Sequence, residues 1–189
     1  MSPAELWRVF PWDPSAAESE RFSAAFVPMP QGAGRFDLPG NVRGVTYFAE
    51  SPEHAIAELI QQFRNHPEPL TNADLTRWGR RLALVSATLD PATWQQIPDL
   101  CDPDTLARLG VTAEVPALRD RRRTQRIALD LHGQGYSGLR WWSAFWGEWH
   151  SVILFHDHLA AGALTYGQPT PLDVTSATVM EAAALLDIG

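Results

Sequence analysis

Between Gly32 and Glu58, three side chains of different chemistry follow one another on three kinds of local sequence. Arg35 sits in the glycine-punctuated run GAGRFDLPG, Tyr47 in the β-branched and aromatic run VTYFA, and Glu58 in AIAELI, whose apolar residues recur at helical spacing. Arg35 offers a planar, permanently charged fork suited to a phosphate or a carboxylate. Tyr47 adds an aromatic face with a hydroxyl. Glu58 places a carboxylate a turn and a half into a helix, at the margin of the face that Ala55 and Leu59 would bury. The same residues admit a plain structural reading: Arg35 paired with Asp37, Tyr47 in the core, Glu58 solvated. Spacing alone leaves both open.

Other residues invite weaker readings. His156 and His158, with His150 nearby, are two apart, which on a strand puts them on one face as a metal pair. Beside Asp157 at a strand end they read as solvated instead, and no metal is expected. Trp141, Trp142, Trp146 and Trp149 could stack on a sugar or a base, but an aromatic cluster flanking an apolar strand reads as core. Glu148 among them suggests a two-carboxylate glycosidase with Glu58, a weak reading without a separation in space. Arg119, Arg121, Arg122, Arg123 and Arg126 form either a solvated face or a surface for an acidic partner.

The elements that must hold these side chains follow from pattern. The first thirty residues, with Pro3, Pro11, Pro14, Pro28 and Pro30 among aromatics, read as irregular chain pinned onto a core. A strand is expected over Val45–Ala49. Ser51-Pro52-Glu53 then starts a helix with its buried stripe at Ala55, Ile56, Leu59, Ile60 and Phe63, ending near Asn65 to Pro67. A second strand is expected over Arg80 to Asp90 and a short helix over Asp102 to Gly110, with loop between them. A longer helix from Arg119 to His132 starts with arginines that oppose its macrodipole. Strands over Tyr136 to Trp142 and Ser151 to Phe155, a linker-like stretch from Gly162 to Pro171 and a helix over Thr175 to Leu186 complete the chain. Strands and helices mixed without regular alternation fit an α+β fold: a compact mixed or antiparallel sheet core with flanking helices.

Composition bounds the chemistry. At 189 residues, 45% hydrophobic and 20% charged, the chain suits one compact domain over 1–189. Cys101 is the single cysteine, which excludes an internal disulfide and a Cys-rich zinc site. All 15 basic residues are arginine, so Schiff-base catalysis and a P-loop lysine are excluded. A net charge of −7 speaks against direct nucleic-acid binding. No signal peptide and no apolar run long enough to cross a membrane is seen, and the expected location is the cytoplasm.

The motifs GRFDLPG, TYFAESPEHAIAE and GYSGLRWWS, with LWRVFP around Arg8, resemble the RES domain family found in bacterial toxin–antitoxin pairs. Arg35, Tyr47, Glu58 and Ser143 fall on the family's marked positions; Phe36 stands where the family more often has Trp, and 65–119 reads as a family-variable insert. The resemblance implies an ADP-ribosyltransferase-like fold and cleavage of the nicotinamide–ribose bond of NAD+, by hydrolysis or phosphorolysis. It implies that Glu58 faces the ribose, Arg35 holds the pyrophosphate with Arg8 as a second phosphate ligand, Tyr47 stacks on nicotinamide, and Ser143 orients ribose or Glu58. NAD+ is then the substrate, and no prosthetic group or metal is expected. The implied partner is an antitoxin with an Xre-like helix-turn-helix domain. ADP-ribosylation of a cellular protein and a non-catalytic interaction module are the alternatives.

Overall fold

The computed structural model describes residues 3–39, 44–114, 120–143 and 148–188. Along them run β1 (Ala4–Pro11), β2 (Val45–Ala49), α1 (Pro52–Ile60), β3 (Thr76–Arg77), β4 (Arg80–Leu89), α2 (Pro91–Trp94) and α3 (Pro103–Leu109). Then follow α4 (Arg121–Gly133), β5 (Gly138–Trp142), β6 (His150–Phe155), β7 (Leu164–Tyr166), β8 (Thr170–Pro171) and α5 (Ala177–Leu185). The fold is α+β, and the β1–β2, β3–β4, β4–β8 and β5–β6 pairings are antiparallel.

Local chemistry starts each helix. The Ser51 side chain accepts the His54 N–H at the head of α1, with Pro52 next in line. The tetrads Asp90-Pro-Ala-Thr93 and Asp102-Pro-Asp-Thr105 repeat one device. Each aspartate accepts the backbone N–H and the hydroxyl of the threonine three residues on, which opens α2 and α3. The threonine hydroxyl, then its N–H, holds each carboxyl below the usual carboxylate range. Gly110 ends α3 at φ 66°, where a side chain would be strained. Asp120 caps α4 by accepting the Arg122 N–H, which tempers the arginine-rich first turn.

Several expectations are corrected. Residues Ala4–Pro11 are a strand, because Leu6 and Phe10 bury their side chains while Pro3 and Pro11 merely bracket the run. The stretch from Gly162 to Pro171 carries β7 and β8, and the loop after β4 holds α2. Helix α1 stops at Ile60 and tightens into a 3-10 turn over Gln61–Phe63; His54 and Ala57 are buried where Leu59 and Phe63 were expected to be. His156–His158 is also a 3-10 turn, so these histidines do not share a strand face. His156 Nε2 lies 2.6 Å from Thr46 Oγ1, whereas His158 Nδ1 lies 2.6 Å from the Tyr136 carbonyl.

The chain divides into two compact units, each drawn from three segments. The first holds Met1–Ala4, Val27–Phe48 and Leu89–Thr165. In it β6 lies between β2 and β5, as its continuous apolar run requires, in register from Gly138↔Leu154 to Trp142↔His150. Phe36, Leu100, Ile127, Leu131, Trp141 and Phe155 share its core. The outer side of β5 is covered by Pro98–Leu100, through the Arg140 N–H to Pro98, the Leu100 N–H to Arg140, and an Arg140–Asp99 ion pair at 2.5 Å.

The second unit holds Glu5–Phe26, Ala49–Thr88 and Tyr166–Gly189. Here β4 lies between β3 and β1, Trp7 of β1 pairs with Ala49, and Ala83 of β4 pairs with Pro171. Helix α1 packs against α5.

Two measurements check these arguments. A Cβ on Gly138 would drive into the backbone carbonyl of Ile153, whereas one on Gly133 meets nothing within 4 Å. Gly138→Ala is expected to lower stability by about 3 kcal/mol, and Gly133→Ala to leave the thermal midpoint level or higher. The depressed carboxyls of Asp90 and Asp102 stabilise the fold fully above the unfolded carboxylate range and lose that contribution as pH falls through their folded values. The stability gap between wild type and Asp90→Ala/Asp102→Ala, measured by urea titration, is therefore expected to shrink from pH ~7 to pH ~3.

Candidate functional site

In the first unit the loop from Gly32 to Leu38 is organised by Asp37, a carboxylate only 5% exposed. Its Oδ2 accepts the N–H groups of Gly32 and Gly34, both at 2.7 Å, and its Oδ1 accepts the Tyr47 hydroxyl at 2.8 Å. The Tyr47 oxygen in turn accepts the Phe36 N–H at 2.9 Å. Gly34 must lack a side chain, since a Cβ there would overlap Asp37 and the Tyr47 hydroxyl. From the other side, Gln125 of α4 donates to the Gly32 and Gly34 carbonyls at 3.0 and 2.8 Å, and the Thr124 hydroxyl donates to the carbonyl of Arg35. The backbone around Arg35 is thus held through the N–H groups of Gly32, Gly34 and Phe36 and the carbonyls of Gly32, Gly34 and Arg35.

The guanidinium of Arg35 lies 4.7 Å from the centroid of the buried Trp141 ring on β5, with Phe36 completing the aromatic floor. A cation held over an aromatic face at this distance is attracted by the ring's electrons, which fixes where the guanidinium sits. Tyr47 points outward from β2 with its residue surface 37% exposed, while its hydroxyl is enclosed by Asp37 and Phe36. Burial, and then the neighbouring Asp37 carboxylate, push the phenol far above its ordinary range. It remains a protonated donor to Asp37, and the exposed part of the ring is what it offers a ligand. Ser143, 7% exposed, donates its N–H to Trp149 at 2.7 Å. That bond continues the β5–β6 ladder by one step, so Ser143 lies on the same side of the strand as Trp141.

Glu58 and Arg8 belong to the second unit. Glu58 is half-buried on α1, and its Oε1 lies 3.2 Å from Nε2 of His54, which is 1% exposed. Because a carboxylate only accepts from an N–H, His54 is the donor when that bond forms, and it orients Glu58 from one turn earlier. Arg8 is half-buried and donates to the Ala24 carbonyl at 3.1 Å. Burial lowers its guanidinium, and the hydrogen-bonded Tyr166 phenol opposes that shift.

Arg35 and Tyr47 are therefore brought together through Asp37, with Ser143 beyond the ring that carries Arg35. Asp37 is the residue that sequence reasoning placed only as a partner for Arg35. Its signal is an acidic side chain three and five residues after glycines whose N–H groups it can turn back to meet. Of the tryptophans, Trp141 is core, Trp142 and Trp149 are half-buried, and Trp146 lies outside the described residues. Arg121, Arg122, Arg123 and Arg126 are exposed on α4, while Arg119 lies outside the described residues. A cavity of about 800 Å³ runs along α4 between Val111, Arg122, Arg126 and Ile127; none of Arg35, Tyr47 and Ser143 lines it.

No curated protein matches the chain. Among solved structures, it is similar to a chain in the crystal structure of the M. tuberculosis MbcT-MbcA toxin-antitoxin complex, with a TM-score of 0.60 and 14% identity over 98% of this chain and 88% of that one. At that identity the likeness is one of fold. The RES domain matches residues 5–175, a span that takes in the strand of Arg8, the Arg35 loop, Tyr47, Glu58 and Ser143. On that match, the chain belongs to the RES domain family.

Proposed function

We propose that this chain is the toxin of a toxin–antitoxin pair and that it degrades NAD+ by breaking the bond between nicotinamide and ribose. The observation that supports the reading best is the Arg35 loop. A guanidinium laid on Trp141, with its backbone pinned by Thr124, Gln125 and the Asp37 network, is a pre-oriented fork for a pyrophosphate. The exposed part of the Tyr47 ring, on the strand behind the loop, suits the flat nicotinamide. NAD+ enters as a substrate and is consumed, so no prosthetic group is invoked.

The chemistry asks little of an acid. Nicotinamide leaves as a neutral molecule from a cationic ring nitrogen, and the C1′–N bond breaks with positive charge spreading over the ribose. A carboxylate beside that ring stabilises the charge as it develops, and we assign Glu58 that role, oriented by His54. Water or phosphate then bonds to C1′ and loses its proton to solvent or to the carboxylate. Ser143 is assigned the ribose hydroxyls, and Arg8 a second contact to phosphate. The antitoxin is proposed to carry an Xre-like helix-turn-helix domain, with the exposed arginines of α4 as one surface for an acidic segment of it.

Purified protein incubated with NAD+ is expected to release free nicotinamide, followed by chromatography. Glu58→Gln should lower kcat by about 100-fold or more, and Arg35→Ala should act mainly by raising KM. Release unchanged in Glu58→Gln would remove the catalytic assignment. An added ADP-ribose mass on a lysate protein would instead mark a transferase, and intact NAD+ with stable, salt-sensitive complex formation an interaction module. Tyr47→Phe keeps the ring but strands the Phe36 N–H and one Asp37 oxygen. It is expected to lower stability by roughly 1–3 kcal/mol in thermal melts and to weaken NAD+ binding as the loop loosens.

A further inference from the structure

We propose that His132, Asp157 and His158 form a binding site for one divalent cation of the zinc class, separate from the assigned NAD+ residues. The three belong to the first unit: His132 stands in the last turn of α4, and Asp157 and His158 in the 3-10 turn that follows β6. One ring nitrogen of each histidine and one carboxylate oxygen lie within 4.8 Å of one another. Two imidazoles and a carboxylate are the donor set of a three-ligand zinc centre that keeps its fourth position for water.

The surroundings fit a cation. The Tyr136 carbonyl, an acceptor only, lies 2.6 Å from His158 Nδ1, so the neutral ring carries its proton there and turns the lone pair of Nε2 away. The Asp157 carboxylate already meets His132 Nε2 at 2.9 Å, the contact that a metal would open by inserting between nitrogen and oxygen. The two imidazoles are neighbours, stacked at 4.0 Å and 18°, with His132 edge-on to the buried Phe155 at 5.5 Å; to share one ion they turn out of this stack so that both lone pairs meet it. The C-terminal end of α4 contributes the negative end of its dipole. Tetrahedral zinc with bonds of ~2.0–2.1 Å needs donors roughly 3.3 Å apart. Side-chain rotation closes the remaining distance, and the 17% and 25% exposed side chains of His132 and Asp157 leave the ion a way in. Once bound, the ion would clamp the end of α4 to the end of β6. The same α4 presents Thr124 and Gln125 to the Arg35 loop.

The test uses the full chain, freed of metal by a chelator and titrated with Zn2+ in competition with a chromophoric chelator. One equivalent is expected to bind at submicromolar dissociation constant and to raise the thermal midpoint. His132→Ala and His158→Ala should each weaken binding at least tenfold, while His66→Gln, at an exposed histidine elsewhere, should leave it unchanged. Asp157→Asn keeps the shape of the side chain, so a weakened Zn2+ affinity with an unaltered circular dichroism spectrum separates lost ligation from lost fold. Co2+ should give the intense visible bands of a tetrahedral site in wild type and lose them in His158→Ala. Wild-type affinity no tighter than that of a folded His132→Ala/Asp157→Asn variant, or Co2+ spectra of an octahedral ion, would overturn the site. Neither result bears on nicotinamide release.

Discussion

A carboxylate buried beside glycines is costly unless its lone pairs are filled, and that requirement at Asp37 shapes the Arg35 region. Two of its partners are N–H groups of the same loop and the third is the Tyr47 hydroxyl. The carboxylate therefore welds a loop without regular structure to β2, and it does so only because Gly34 leaves room. The Tyr47 oxygen passes the order on to Phe36, whose ring lies in the core beside Trp141. Arg35 stands between residues that are all fixed, and its own backbone is tied to α4. The course of the backbone at Arg35 is thus set by the loop's hydrogen bonds before any ligand arrives, and the guanidinium it carries lies over Trp141.

Much of this architecture is written locally. Ser51-Pro52-Glu53 and Asp102-Pro103 start helices by themselves, and the apolar run of β6 announces a strand with neighbours on both sides. What escaped was set by tertiary partners. β1 looked irregular because prolines flank it, yet a strand needs its alternate residues buried, and Leu6 and Phe10 supply that. β8 is two residues long and exists by pairing with β4. The Asp37 network joins side chains brought close by the fold, and Gln125 reaches the loop from far along the chain. His156 and His158 were paired through a period of two that holds only in a strand. In the 3-10 turn they part, and His158 meets His132 instead.

The absence of lysine has a visible structural counterpart. Arginines here lie over rings: Arg35 over Trp141, Arg8 near Phe10, and Arg21 over Phe22, with Arg80 beside that ring as well. A guanidinium can stack by its face and still bond by its edge, as Arg80 does to Asp13 at 2.9 Å. An ammonium is a point charge and cannot divide those tasks, so replacing these residues by lysine would keep charge and lose orientation.

The threading of the chain bears on when Glu58 acquires its support. Helix α1, which carries Glu58, is nine residues long, too short to persist in water unaided, and its packing partner is α5, a helix far along the chain. Until α5 has been made, Glu58 rides on a helix without that backing. The support of Glu58 is therefore complete only after α5 has been made, so whatever task this carboxylate performs waits on a segment that lies far from it in sequence.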